Sequence, residues 1–277
     1  EVIDIWDSVT LAHKGEIAIP DRRAQALNYK GLITVSADGR WLFVQNATPA
    51  STVSVIDLRQ RRLASEIATS GCWLALPVQS APQRFATLCG DGTIETVTLD
   101  EAGALKARTR SEPFFDADVD PVFVHSETIG DRYFFVSYLG QVHEVDLSQD
   151  KPKALGRWPL VQGADAKKGW RPGGYQLFAV HAASGRLYVA MHPNGAEGSH
   201  KNPAAEIWAF DIATHKRIGR MPGHNAIALA AVQGTGPRLV ALDGATMGLV
   251  LIDAGARPRV ISRMDAIADS ATQLELQ

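Results

Sequence analysis

The sequence has no apolar run of about eighteen residues, the length a helix needs to cross a hydrocarbon core, so no helical membrane span is expected. It has little net charge: 28 basic and 30 acidic residues leave −2, and the basic ones are scattered. Nucleic-acid binding needs a basic stripe to displace counterions from phosphates, and that partner class is set aside. Aromatics make up 7% of the 277 residues, and there are two cysteines, Cys72 and Cys89, too few to decide the redox compartment by number. Chemical signatures are scarce as well. No serine stands in a G-x-S-x-G elbow, and no cysteine lies in an evident Cys–His setting. The glycine pair of "GWRPGGYQ" (169–176) lacks phosphate-loop spacing, and a strand rather than a helix is expected after it. Asp116, Asp118 and Asp120 in "FFDADVDP" alternate as in a calcium loop but without its glycine and distal glutamate, which leaves an acidic rim loop. The chain starts at Glu1 without Met or a leader-like apolar segment, so a processed or truncated product is expected.

What the sequence does contain is a repeat. A strand ending in Asp, a polar turn and a second strand recur at Asp7, Asp57, Asp100, Asp146, Asp211 and Asp253, separated by 50, 43, 46, 65 and 42 residues. Alternating apolar runs such as "GRWLFVQNA", "DRYFFVSYLG" and "GRLYVAMHP" precede most copies. Further upstream come variable apolar segments: "LNYKGLITVS", "GCWLALPV", "DVDPVFVHS", "GGYQLFAVH" and "HNAIALAAV". Four short strands in roughly 45 residues are the mark of a β-propeller blade. The fold class is therefore all-β, a β-propeller, read as one domain over residues 1–277. The aspartates are explained by turn chemistry, since a carboxylate accepts from N–H groups just ahead of it, and Thr10 and Thr214 fit the same turn. The copy at Asp7 has no strands before it. Half a blade would leave a long open sheet edge, so N-terminal sequence is expected to be missing. The tail "VISRMDAIADSATQLEL" is expected either to close the first blade or to end as a loose arm.

The 65-residue interval holds two insertions, "VQGADAKKGWRPGGYQ" and "HPNGAEGSHKNPA". Extra residues in a rigid scaffold go to loops at its rim, where partners dock. His192 and His200 flank Glu197, and imidazole with carboxylate suits zinc or iron. Their spacing matches no helical pair and no third nearby ligand is evident, so the loop is read as locally hydrogen-bonded, with no metal. Arg171 beside Trp170 and Tyr175 is the composition of an anchored turn or a contact surface. Cys72 and Cys89 flank two strands joined by a Pro-containing turn. Geometry alone leaves a disulfide and two buried thiols equally open.

With these residues in hand, the chain resembles the heavy (α) subunits of the quinoprotein amine dehydrogenases, the methylamine and aromatic amine dehydrogenases. The resemblance runs over nearly the whole chain. It is most specific in "GWRPGGYQLFAVHAASGRLYVAMHPNGAEGSHKNPAAEIWAFDIATHKRI" and in the Cys72–Cys89 segment with "CGDGTI". It implies a periplasmic propeller, seven-bladed in the family, with about six blades' worth of sequence here. Two heavy chains would pair with two small disulfide-rich light chains. The cofactor, tryptophan tryptophylquinone, would be carried by the light chain, so Trp6, Trp41, Trp73, Trp158, Trp170 and Trp208 are not the modified pair. The substrate would be a primary amine, and electrons would leave to a cupredoxin such as azurin or amicyanin. The resemblance also implies a Cys72–Cys89 disulfide, which a periplasmic location permits.

No catalytic residue is expected in this chain on that reading. Trp170, Arg171, Tyr175, His192, Glu197, His200 and Lys201 become the candidates for the light-chain interface. The wording "PNGAEGSHKNPAAEIW" resembles the aromatic amine branch, which implies aralkylamines favoured over methylamine. The alternative is a stand-alone YVTN- or WD-type propeller acting as an interaction scaffold, because a propeller fold does not fix function.

Overall fold

The computed structural model describes residues 1–20 and 29–276. Its strands form antiparallel sheets, and in all but one of them each neighbour in sequence is a neighbour in the sheet. The first is a two-stranded pair, β1 (Val2–Trp6) and β2 (His13–Ala18). Two four-stranded sheets follow: β3 (Ile33–Val35), β4 (Trp41–Asn46), β5 (Thr52–Asp57) and β6 (Arg62–Ala68), then β7 (Cys72–Pro77), β8 (Arg84–Cys89), β9 (Ile94–Leu99) and β10 (Leu105–Arg110). The fourth sheet joins β11 (Val122–Ile129), β12 (Arg132–Ser137), β13 (Gln141–Asp146) and β14 (Lys153–Pro159). The fifth follows a short helix, α1 (Gly163–Lys167). It contains β15 (Arg171–Pro172), β16 (Phe178–His181), β17 (Arg186–His192), β18 (Glu206–Asp211) and β19 (Lys216–Pro222), with β15 and β16 both paired to β17. The last is β20 (Ala226–Val232), β21 (Arg238–Asp243), β22 (Leu249–Asp253) and β23 (Arg259–Met264). The variable apolar segments upstream contain β3, β7, β11, β16 and β20; Leu27 and Asn28 of the first lie outside the described residues.

Burial explains why the patterns differ between strands. Every residue of β4 and β5 is buried, so both faces are covered and period-two alternation vanishes. The outer strands β10, β14, β19 and β23 are almost wholly exposed and rich in Lys and Arg. Charge along an open edge discourages pairing with a second molecule.

Two compact units are distinguished: residues 1–117, 130–132 and 145–154, and residues 118–129, 133–144 and 155–277. The first is centred on Trp41, Phe43, Val55, Phe85 and Val97, with the Phe43 and Phe85 rings 4.8 Å apart. The second is built around Phe134, Phe178, Tyr188, Trp208 and Phe210.

All six repeat aspartates cap the turn after their strand. Asp7 Oδ1 accepts from the Val9 and Thr10 amides and the Thr10 hydroxyl, and Asp211 Oδ1 from the Thr214 amide and hydroxyl. Asp57 takes Arg59 and Gln60, Asp100 takes Ala102 and Ala104, Asp146 takes Ser148, and Asp253 takes Gly255. In the hairpins at Asp7, Asp57, Asp100, Asp211 and Asp253 the register slips just ahead of the aspartate. Leu11, Arg61 and His215, each four residues after its aspartate, carry positive φ of 55°, 51° and 58°. The carboxylate's bonds offset that unfavourable backbone conformation.

Cys72 and Cys89 are directly opposed in the β7–β8 register and form a disulfide, with Cα atoms 3.9 Å apart. The tail does neither thing expected of it. Val260–Met264 belong to β23 of the last sheet, and residues 265–276 contain no strand. The tail is not loose, because buried Gln176 holds Leu274 through both its backbone N–H and C=O.

Candidate functional site

The two insertions of the fifth sheet form one structure. In a four-stranded meander, successive connections alternate between the two ends of the sheet. The segment before β16 and the segment between β17 and β18 therefore emerge at the same end. They are stitched together by backbone bonds: Asn194 N–H to Lys168 C=O at 3.2 Å, Gly195 N–H to Gly169 C=O at 2.6 Å, and Gly174 N–H to His200 C=O at 3.0 Å. The β15–β17 pairing adds register, setting Arg171 opposite His192.

Glycines make this closeness possible. A Cβ on Gly173 would stand 2.7 Å from both the Asn202 carbonyl oxygen and His192 Cδ2, and one on Gly174 would stand 2.7 Å from the Ile227 carbonyl oxygen. The "PGG" motif is thus a close-approach device, and β16 does follow it. A Cβ on Gly195 would meet Arg171 Cδ at 2.4 Å, so the Arg171 stem lies across that glycine.

All seven predicted interface residues fall in this fused element, with unequal surroundings. Trp170 is half-buried against Trp208, ring centroids 5.1 Å apart. Trp208 is fully buried, donates its indole N–H to Glu206, and has Arg217 and Arg220 over its ring at 4.4 and 4.3 Å. Both guanidiniums reach Asp165 of α1. Hydrogen bonding from Arg220 foremost, and from Arg217, holds the Asp165 carboxyl below its ordinary range despite burial. The stack fastens α1 to the β18–β19 hairpin. Tyr175 lies under Lys201 Nζ at 5.3 Å. His192 is buried, with Nδ1 donating to the Pro193 carbonyl and Nε2 without a partner among the described residues. His200 stacks on Tyr138 at 4.8 Å. Burial, and then the Lys201 charge, push its imidazole below the ordinary value, which favours the neutral ring.

Arg171, Glu197 and His200 line a cleft of about 630 Å³, joined there by Asp118, Val119, Pro121, Tyr138, Leu139 and Pro172. His192 Nδ1 donates to a carbonyl and His200 is stacked at the cleft wall; among the described residues the one group of three possible metal ligands gathered in space includes neither. Asp118 was legible only as part of an acidic loop. Asp120 of that loop is structural, accepting from the Ser137 hydroxyl and the Leu139 amide. Among the described residues, Asp4, His13 and Glu16 gather as exposed side chains on β1–β2.

The fold has relatives among solved structures. A β-propeller domain from Myceliophteria thermophila superposes with a TM-score of 0.55 at 11% identity, covering 85% of this chain and 72% of that one. BamB from Moraxella catarrhalis gives 0.53 at 13%, covering 95% and 72%. These fix the fold as a β-propeller and carry nothing of function. By sequence, the chain is 27% identical to the methylamine dehydrogenase heavy chain of Methylobacillus flagellatus over 258 residues, 92% of this chain and 62% of that protein. It is 25% identical to that of Methylorubrum extorquens over 282 residues, 96% and 67%. The chain thus spans about two thirds of the length of these relatives. The family model for the methylamine dehydrogenase heavy chain matches residues 1–272, and the chain belongs to that family.

Proposed function

We propose that this chain is the heavy, cofactor-free subunit of a periplasmic amine dehydrogenase that oxidises primary amines through tryptophan tryptophylquinone on a small light chain. The observation that carries this reading is the family match over residues 1–272, which includes both insertions. Trp170 and Trp208 are in ring contact, but Trp208 is fully buried, its N–H is taken by Glu206, and two guanidiniums cover its ring. That burial supports assigning the quinone to the partner, as the family membership implies. There it supplies the electron-accepting carbonyl chemistry of amine oxidation. This chain supplies the scaffold that seats the partner, and the fused insertions are proposed as part of that seat.

Electrons are proposed to pass to a cupredoxin. Aralkylamines are proposed as preferred over methylamine, on the wording of residues 193–208; the relatives carry the methylamine name. The test is expression of the complete gene with its genomic neighbours, purification from the periplasm, and the mass and visible spectrum of what co-purifies. A small, tightly bound chain with a quinone absorbance bleached by amine is the expected result. Comparing kcat/KM for phenethylamine and methylamine then tests the substrate preference. A lone colourless propeller, with maturation genes present, would overturn the reading in favour of an interaction scaffold.

A further inference from the structure

We infer that the 630 Å³ cleft beside the fused insertions is a socket for one protruding apolar side chain of the small partner chain, with a carboxylate next to it on that chain; this rests on the heavy-subunit reading above. Three observations carry it. The first is an unsatisfied charge. Arg171 lines the cleft half-buried, and among the described residues its guanidinium has no hydrogen bond or ion pair. Its stem is held by packing across Gly195, so little freedom is lost when an acceptor arrives. A planar fork of donors in that state matches a carboxylate.

The second is the apolar wall. Val119 is 70% exposed and Leu139 47% exposed, and both line the cleft together with Pro121, Pro172 and Tyr138. Most of the Val119 surface is open to solvent, so covering it needs a body larger than a small molecule filling the cavity. A protein segment meets that need.

The third is rigidity. Tyr138 is braced by the stacked ring of His200, and the His200 backbone is tied to Gly174. The socket is preformed, as the anchor pockets of interfaces are. Glu197 and Asp118 add negative charge to the lining. They repel a partner carboxylate everywhere but at Arg171, which sets the register of docking.

The test uses the full-length heavy chain assembled with its light chain. Dissociation constants come from sedimentation velocity over a dilution series at two salt concentrations, and hydrogen exchange maps protection. Arg171→Ala is expected to weaken association at least tenfold and flatten its salt dependence, with Arg171→Lys intermediate. Leu139→Asp, at an exposed site and checked for intact folding by circular dichroism, should weaken it at least as much. Arg259→Ala, at the other end of the last sheet, should stay within twofold. Residues 118–121, 138–139 and 196–200 should gain protection in the wild-type complex. If Arg171→Ala and Leu139→Asp bind within twofold of wild type, or those segments gain no protection, the socket is refuted while the subunit reading stands. If the wild-type chain assembles with no small partner, both fall.

Discussion

Reduction of the Cys72–Cys89 bond is the perturbation whose magnitude follows most directly from the structure. The two cysteines are 17 residues apart and face each other in the β7–β8 ladder. They are buried, at 4% and 2% exposure, so the reduced thiols remain as small apolar groups without opening a cavity. The loss is then chiefly the loop-closure constraint on the unfolded chain, roughly 3 kcal/mol for a loop of this length. If all 277 residues unfold together, an unfolding entropy near 2.1 cal/mol/K per residue converts this into a drop of about 5 °C in Tm. If the first unit, roughly 130 residues, melts by itself, the drop is about 11 °C and confined to one transition. Scanning calorimetry of oxidised and fully reduced protein measures both numbers. A shift below 1 °C would refute the entropic reasoning, and two titratable thiols in the unreduced, unfolded chain would refute the bond itself.

Further perturbations address the turns and the close contacts. Gly173→Ala places a methyl 2.7 Å from the Asn202 carbonyl and from His192, and should cost about 1–3 kcal/mol by urea unfolding. Gly236→Ala, with nothing within 4 Å, should be near neutral; equal effects would mean that Gly173 is not sterically constrained. Acidification should weaken the aspartate turns. Hydrogen bonds from the Thr214 hydroxyl and amide hold Asp211 below its ordinary value of 3.8, so its contribution is full above about pH 4 and is lost as pH falls through the lowered folded value. Asp211→Asn should flatten that part of the stability–pH curve, and an unchanged acid limb would contradict it.

The parts of the molecule readable in the sequence are those decided within a few residues. An aspartate at a strand end satisfies amides two and three positions on, so the six turns needed no knowledge of the rest of the chain. The strands of each repeat were legible because buried middle strands and charged outer strands differ in composition as well as periodicity. Helix α1 left no such trace. Its five residues, Gly163–Lys167, include none that is buried, so there is no apolar stripe to detect; it is held by Arg217 and Arg220 reaching Asp165 from some fifty residues away. Those arginines read as ordinary charges on an exposed outer strand. The cleft was hidden for the same reason, because Asp118, Tyr138, Arg171 and His200 come from four connections that only folding brings together. Two cysteines in a hairpin did not reveal their bond either; the direct opposition of Cys72 and Cys89 is a matter of register, which shifts within that very strand pair.

One feature of the site follows from counting strands alone. In a four-stranded meander, the connection into the first strand and the connection between the second and third leave at one end of the sheet, while the first–second and third–fourth connections leave at the other. Five of the six repeat aspartates stand in third–fourth connections, and Asp7 stands in the single connection of the β1–β2 pair. Both insertions of the long interval, before β16 and between β17 and β18, stand in connections of the other parity. Length in the fifth sheet was therefore added only at the end opposite its Asp211 turn. The fifth sheet keeps its Asp211 turn intact, with both Thr214 hydrogen bonds, although its repeat is the longest. The two ends of this sheet carry separate tasks: short capped turns hold the hairpin at one, and the other bears the fused insertions and the Arg171 cleft. Disturbing the Asp211 turn should then lower stability and leave partner affinity unchanged, whereas Arg171→Ala should do the reverse.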